Sequence, residues 1–142
     1  AWIDADGKET PQTRPEGVRV ISEATAKTLT EMLIGVTQEG GTAESASING
    51  YLVAGKTGTT EILTDDSTVA SFVGFLPARN PALAIAVIVN RPEGIFGGTV
   101  AAPVFREVAL AAMQALNIAP DPNVVAAQAA RNGAGGERDA SQ

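Results

Sequence analysis

The chain predicts a mixed α/β fold of the α+β kind, an antiparallel sheet with helices packed on its faces, and three observations carry that reading. Three β-prone segments, 51–60, 68–76 and 83–89, follow one another closely. The links between them are too short for the crossover of a dozen or more residues that parallel pairing needs, so an antiparallel meander follows. Apolar stripes at helical spacing lie on either side of this block, one near 23–36 and one near 99–116.

Residues 1–17 mix Asp, Gly, Pro and Thr, and Asp6-Gly7 offers a tight turn between two short extended pieces, which reads as a connector. Ser22 can cap a helix that begins at Glu23, whose carboxylate suits the positive helix end. Ala26, Leu29, Leu33 and Val36 supply its stripe, and Gly40-Gly41 stop it. After a small, polar stretch at 43–49, Gly50 punctuates the start of the first strand. Asp65-Asp66 make the next turn. In the second strand Val69, Val73 and Phe75 share a face interrupted by Ser71, and Pro77 ends it. The third strand is apolar throughout, which predicts burial on both faces. Gly97-Gly98 precede Thr99 as a cap, and Val104, Val108, Ala111 and Ala115 form the stripe of a final helix with Pro103 in its first turn. From Ala119 the chain turns Pro-, Ala- and Gly-rich without periodic apolar signal, which predicts a disordered tail over 119–142.

Composition removes several function classes. The 142 residues are 44% hydrophobic but include only one Trp, one Tyr and four Phe, so aliphatic side chains must fill the core. A net charge of -6 with no cluster of Lys or Arg argues against nucleic acid and against an anionic membrane surface. Zero Cys and zero His remove thiolate catalysis and the commonest general base and metal ligand. Any proton transfer must therefore use Lys, a carboxylate or Tyr51; no metal or cofactor is expected. The longest apolar run, 82–89, is too short to cross a bilayer. Glu61, Asp65 and Asp66 read as a solvated turn rather than a site.

The most informative stretch is Gly50-Tyr51-Leu52-Val53-Ala54-Gly55-Lys56-Thr57. Its letters satisfy the phosphate-loop pattern G-x-x-x-x-G-K-[ST], but its context does not. The four intervening residues are strand formers, and Gly58, Thr59 and Thr60 are poor helix starters where a helix is required. The alternative takes Lys56-Thr57-Gly58 as the strand-borne KTG element of serine transpeptidases and serine β-lactamases. Residues 51–59, then Ser71-Phe72-Val73-Gly74-Phe75, then the run Gly97 through Phe105 together resemble class B penicillin-binding proteins, the monofunctional peptidoglycan transpeptidases of division and elongation. The likeness runs from about Gly17 to Leu116. It implies that residues 1–118 are the C-terminal part of a penicillin-binding or serine β-lactamase-like transpeptidase domain. A β-lactamase or DD-carboxypeptidase of the same superfamily is the runner-up, with a non-catalytic binding module and a nucleotide binder behind it.

Strand alternation puts Thr57 and Thr59 on one face and Lys56 with Gly58 on the other, so two hydroxyls can converge on one anion. The resemblance implies that this anion is the carboxylate of a D-alanyl-D-alanine stem peptide or of a β-lactam. It further implies that the Thr59 backbone NH forms half of an oxyanion hole, and that Lys56 supports a serine of an SxN motif. Thr57, Gly58 and Thr59 are then substrate-binding, and Lys56 and Thr59 catalytic. Gly58, without a Cβ, allows close approach of neighbouring backbone.

The acylating serine of such enzymes lies three residues before a lysine. Here the residues three before Lys8, Lys27 and Lys56 are Ala5, Ala24 and Val53, so the chain contains no SxxK. Ser47-Ile48-Asn49 fits SxN in letters but sits too close to the KTG strand to match the family's order. The resemblance therefore implies partners: an N-terminal part of the same protein bearing SxxK and SxN, the stem peptide, β-lactams, and cell-wall synthesis proteins. It also implies a place on the outer face of the cytoplasmic membrane, with the anchor outside this chain.

Overall fold

The computed structural model describes residues 2–11, 16–62, 67–93 and 96–136. A small hairpin comes first, β1 (Trp2–Ile3) paired antiparallel with β2 (Glu9–Thr10) around Gly7, whose φ of 78° a side chain would resist. Helix α1 (Glu23–Gly35) begins where expected: the Ser22 side chain accepts a hydrogen bond from Thr25 N at 3.0 Å. It ends at Gly35, before the expected Gly40-Gly41 stop, because Thr37 closes it. Thr37, fully buried, donates its hydroxyl to Ile34 O at 3.1 Å and Val53 O at 2.8 Å, tying the helix end to the chain entering the sheet. Only this end of α1 is covered. Ile34 is buried, whereas Leu29 of the expected stripe is 47% exposed.

The sheet is the expected meander, in order β3 (Ala54–Ile62), β4 (Ser67–Leu76), β5 (Leu83–Asn90). Antiparallel pairing sets Lys56 opposite Val73, Thr57 opposite Phe72 and Thr59 opposite Ala70. The Asp65-Asp66 turn lies outside the described residues. In β4, Val69, Ser71, Val73 and Phe75 share a face as expected, but the covered face is the opposite one, Ala70, Phe72, Gly74 and Leu76, and Val73 is 52% exposed. One expectation about burial is overturned. β5 is not covered on both faces: half-buried and exposed residues alternate along it, and Ile88 is 69% exposed. Period-two patterning assigns faces only when one of them is polar, and here both are apolar.

Helix α2 (Gly97–Ala115) covers one face of the sheet, and the two form the main core. Its N-cap is Phe96, so Thr99 lies inside the helix, its hydroxyl donating to Phe96 O at 2.9 Å, and Pro103 sits beyond the first turn. The predicted stripe of Val104, Val108, Ala111 and Ala115 faces outward. The inward face is Ala101, Ala102, Phe105, Ala109 and Met113. Phe105 meets Phe72 edge to face with ring centroids 4.8 Å apart. The helix closes on a left-handed Asn117 (φ 53°), with Asn117 N bonded to Gln114 O and Ile118 N to Met113 O.

The expectation of disorder from Ala119 onward is corrected over α3 (Pro122–Gly136), a helix. Asp121 accepts from Asn123 N at 2.8 Å, and Pro122 fills the first helical position, where its missing NH costs nothing. Side-chain to backbone hydrogen bonds attach this helix, and an apolar-stripe criterion does not register them.

Candidate active site

β3 is an outer strand of its sheet, paired on one side with β4. Its residues Lys56 to Thr59 carry the predicted site, and the strand context rules out a phosphate loop: a turn at Gly50 leads to nine residues of strand, with no helix after Lys56-Thr57. The register confirms that Thr57 and Thr59 share the α2 side, with Lys56 and Gly58 opposite. Lys56 nevertheless reaches around the strand. Its Nζ donates to Thr57 O at 2.9 Å and to Thr57 Oγ1 at 3.1 Å. Because the ammonium can only donate to it, the Thr57 hydroxyl keeps its own proton to offer an acceptor such as an anion.

Three features that the sequence reading did not single out complete this surface. Thr42, on the loop after α1, brings its hydroxyl to 3.5 Å from that of Thr57. Ser45 donates to Gly98 O at 2.7 Å, joining that loop to the start of α2. Gly97 N donates to Thr59 Oγ1 at 3.3 Å, which leaves the Thr59 hydroxyl proton available too. The partial positive charge of the α2 start is thus placed beside Thr59, and the Lys56 ammonium beside Thr57, both favouring negative charge.

Glycines make this convergence possible. A Cβ on Gly97 would press on the carbonyls of Ser71 and Gly58, the latter at 2.6 Å; one on Gly98 would collide with Thr42 O. Gly97-Gly98, read from the sequence as residues before a cap and as the start of the family-like run, are contact points where helix backbone rests on strand and loop. Gly58 makes close approach as expected, but to a side chain: its Cβ would meet Ser71 Oγ at 2.5 Å. Ser47 and Asn49, the SxN letters, line a different cleft with Gln38, Gln128 and Arg131. Among the described residues no group of three or more carboxylates could hold a metal ion.

The family described as the penicillin binding protein transpeptidase domain matches residues 2–110. The chain is similar to the probable peptidoglycan D,D-transpeptidase PenA of Neisseria flavescens, 40% identical over 113 residues, covering 75% of this chain and 28% of that protein. It is also similar to the stage V sporulation protein D of Bacillus subtilis, 38% identical over 133 residues, covering 87% and 20% respectively. Among solved structures, the transpeptidase domain of penicillin-binding protein 3 from Burkholderia pseudomallei superimposes with a TM-score of 0.68 at 38% identity, over 80% of this chain and 36% of that one. The chain thus spans between a fifth and about three-tenths of the length of these two curated relatives. Family model, relatives and solved structures agree: the chain belongs to the penicillin-binding protein transpeptidase domain family.

Proposed function

We propose that the protein carrying this chain is a serine D,D-transpeptidase that cross-links peptidoglycan stem peptides through an acyl-enzyme and is itself acylated by β-lactams. One observation carries the reading. An ammonium and two threonine hydroxyls, with a third from Thr42, converge along an outer strand beside the start of α2. That arrangement suits a carboxylate at the end of an extended peptide, which can lie along β3 as an added strand. Thr57 and Thr59 donate to the carboxylate, and Lys56 supplies the charge that draws it in. The Thr59 backbone NH contributes to an oxyanion hole. The acylating serine and its SxxK and SxN motifs come from the rest of the same protein, which also carries the anchor that holds it on the outer face of the cytoplasmic membrane among cell-wall synthesis partners.

Labelling by a fluorescent penicillin tests this. The intact protein is expected to take up the label covalently and this chain alone to remain unlabelled. Replacing Thr57 and Thr59 by Val should slow acylation of the intact protein by about 10- to 100-fold or more, at least the worth of one hydrogen bond to a charged group. Wild-type rates in the double variant, or labelling of the isolated chain, would overturn the proposal.

A further inference from the structure

Thr42 and Thr57 are both joined to one turn. The chain runs from Thr42 through a single 3-10 turn (Glu44–Ala46) to Gly50, then reverses and enters β3 toward Thr57. The reversal is a tight one, an isolated antiparallel bridge between Ile48 and Tyr51 with Gly50 at a φ of 81°. The Gly50 turn therefore fixes how the Thr42 loop is set against the Thr57 strand.

That turn is gripped by a part of the molecule beyond residue 110, where the family match ends. Gln128 of α3 spans it with one carboxamide: Oε1 accepts from Gly50 N at 2.7 Å, and Nε2 donates to Ile48 O at 3.2 Å. Asp121 N donates to Gly50 O at 2.9 Å, so both backbone polar groups of Gly50 are held from the same segment. The Tyr51 hydroxyl donates to Ile118 O at 2.6 Å. Pro120 packs so closely that a Cβ on Gly50 would lie 2.5 Å from its Cβ. Arg131 reaches from the same helix to the Gln38 carboxamide, adding a contact to the loop after α1.

We infer that Gln128 is a positioning residue for the substrate site: through the Gly50 turn it sets the separation of the Thr42 and Thr57 hydroxyls. This rests on the carboxylate-binding role proposed above for Thr57. Gln128 touches no substrate and acts through backbone. An element outside the matched segment thereby tunes how tightly the pocket closes on its anion, which makes the C-terminal helix part of the binding apparatus.

The test is a double-mutant cycle on the intact protein, read as the second-order rate of acylation by fluorescent penicillin. Gln128→Ala is expected to slow acylation about 3- to 10-fold, the usual range for coupling through a packed network. In a Thr42→Val background the same change should have little further effect, because the hydroxyl it positions is gone. Purely structural damage would instead lower the rate by the same factor in both backgrounds. Gln128→Asn, too short to reach both backbone groups, repeats the cycle should the alanine variant fold poorly. Amide exchange at Gly50 and Tyr51, expected to accelerate about 10-fold in either variant, reads the grip independently of any reaction. Wild-type acylation in the Gln128 variants, multiplying penalties in the cycle, or unchanged exchange would each overturn the inference. A wild-type protein that takes up no label refutes the functional proposal instead, and exchange then still decides whether Gln128 holds the turn.

Discussion

The two faces of the three-stranded sheet have similar compositions and different surroundings. On one face Ala70, Phe72 and Leu76 lie at zero exposure beneath α2, with Phe105 and Met113 pressed into them. On the other, α1 covers only the end of the sheet around Ala54, Ala78 and Phe75, leaving Val73 and Ile88 52% and 69% exposed. Burial on a sheet is decided by what packs against it, so apolar letters on both faces of β4 and β5 do not reveal which face this chain covers: α2 covers one along its length and α1 only the end of the other.

The largest effect is expected on the covered face. Phe105→Ala removes the ring that meets Phe72 and should cost about 3 to 5 kcal/mol of folding stability, measured by denaturant unfolding of the intact protein. A loss near zero would mean that α2 is not the principal lid of this face. On the bare face, Ile88→Ser separates two cases. A truly solvent-facing residue would shift stability by about 0.5 kcal/mol or less, the usual range for surface substitutions. If the remainder of the transpeptidase covers this face, as we hypothesise, the intact protein should lose about 2 kcal/mol or more.

How much of this was legible in the sequence follows from the same contrast. The Ser22 cap, the strand order and the positions of Lys56 to Thr59 were readable because each depends on local chemistry: a hydroxyl before a helix, links too short to cross over, alternation along one strand. The inward face of α2 was not. Val104 and Val108 are more apolar than Ala101 and Ala109, yet the small residues face in because the helix sits close on the sheet, and the bulk is supplied by Phe105 and Met113. The contacts of Thr42 and Gly98 were missed for another reason. Their meeting with β3 is long-range, and nothing in their immediate neighbours announces it. Helix α3 did leave a local sign in Asp121-Pro122, a cap followed by a first-turn proline, which the lack of an apolar stripe obscured.

The smallest effect expected is at the edge between the two regions, where Arg79 of the β4–β5 turn binds Glu31 of α1 through Nε at 2.9 Å and Nη2 at 3.2 Å. The guanidinium holds the Glu31 carboxyl below the usual carboxylate range, chiefly through its hydrogen bonds. Because the folded value is depressed, the contribution is present above the unfolded carboxylate's value and fades as pH falls through the folded one. Both side chains are exposed, so Glu31→Gln should change stability only slightly and flatten its acid-side dependence. Melting temperatures from neutral to acidic pH would show this, and an unchanged acid slope would remove the pair from any account of how α1 is held.

Gly97 and Gly98, resting on the carbonyls of Gly58, Ser71 and Thr42, give the candidate site a floor made of main chain. A main-chain floor has no side chain to exchange, so mutation there can only obstruct it. Any retuning of which anions or antibiotics the pocket accepts is therefore expected to arise at the rim, in Thr42, Ser45, Thr57 and Thr59, or from the helix that sets the rim's spacing. Selection acting on ligand preference would leave these glycines fixed while the hydroxyls around them vary.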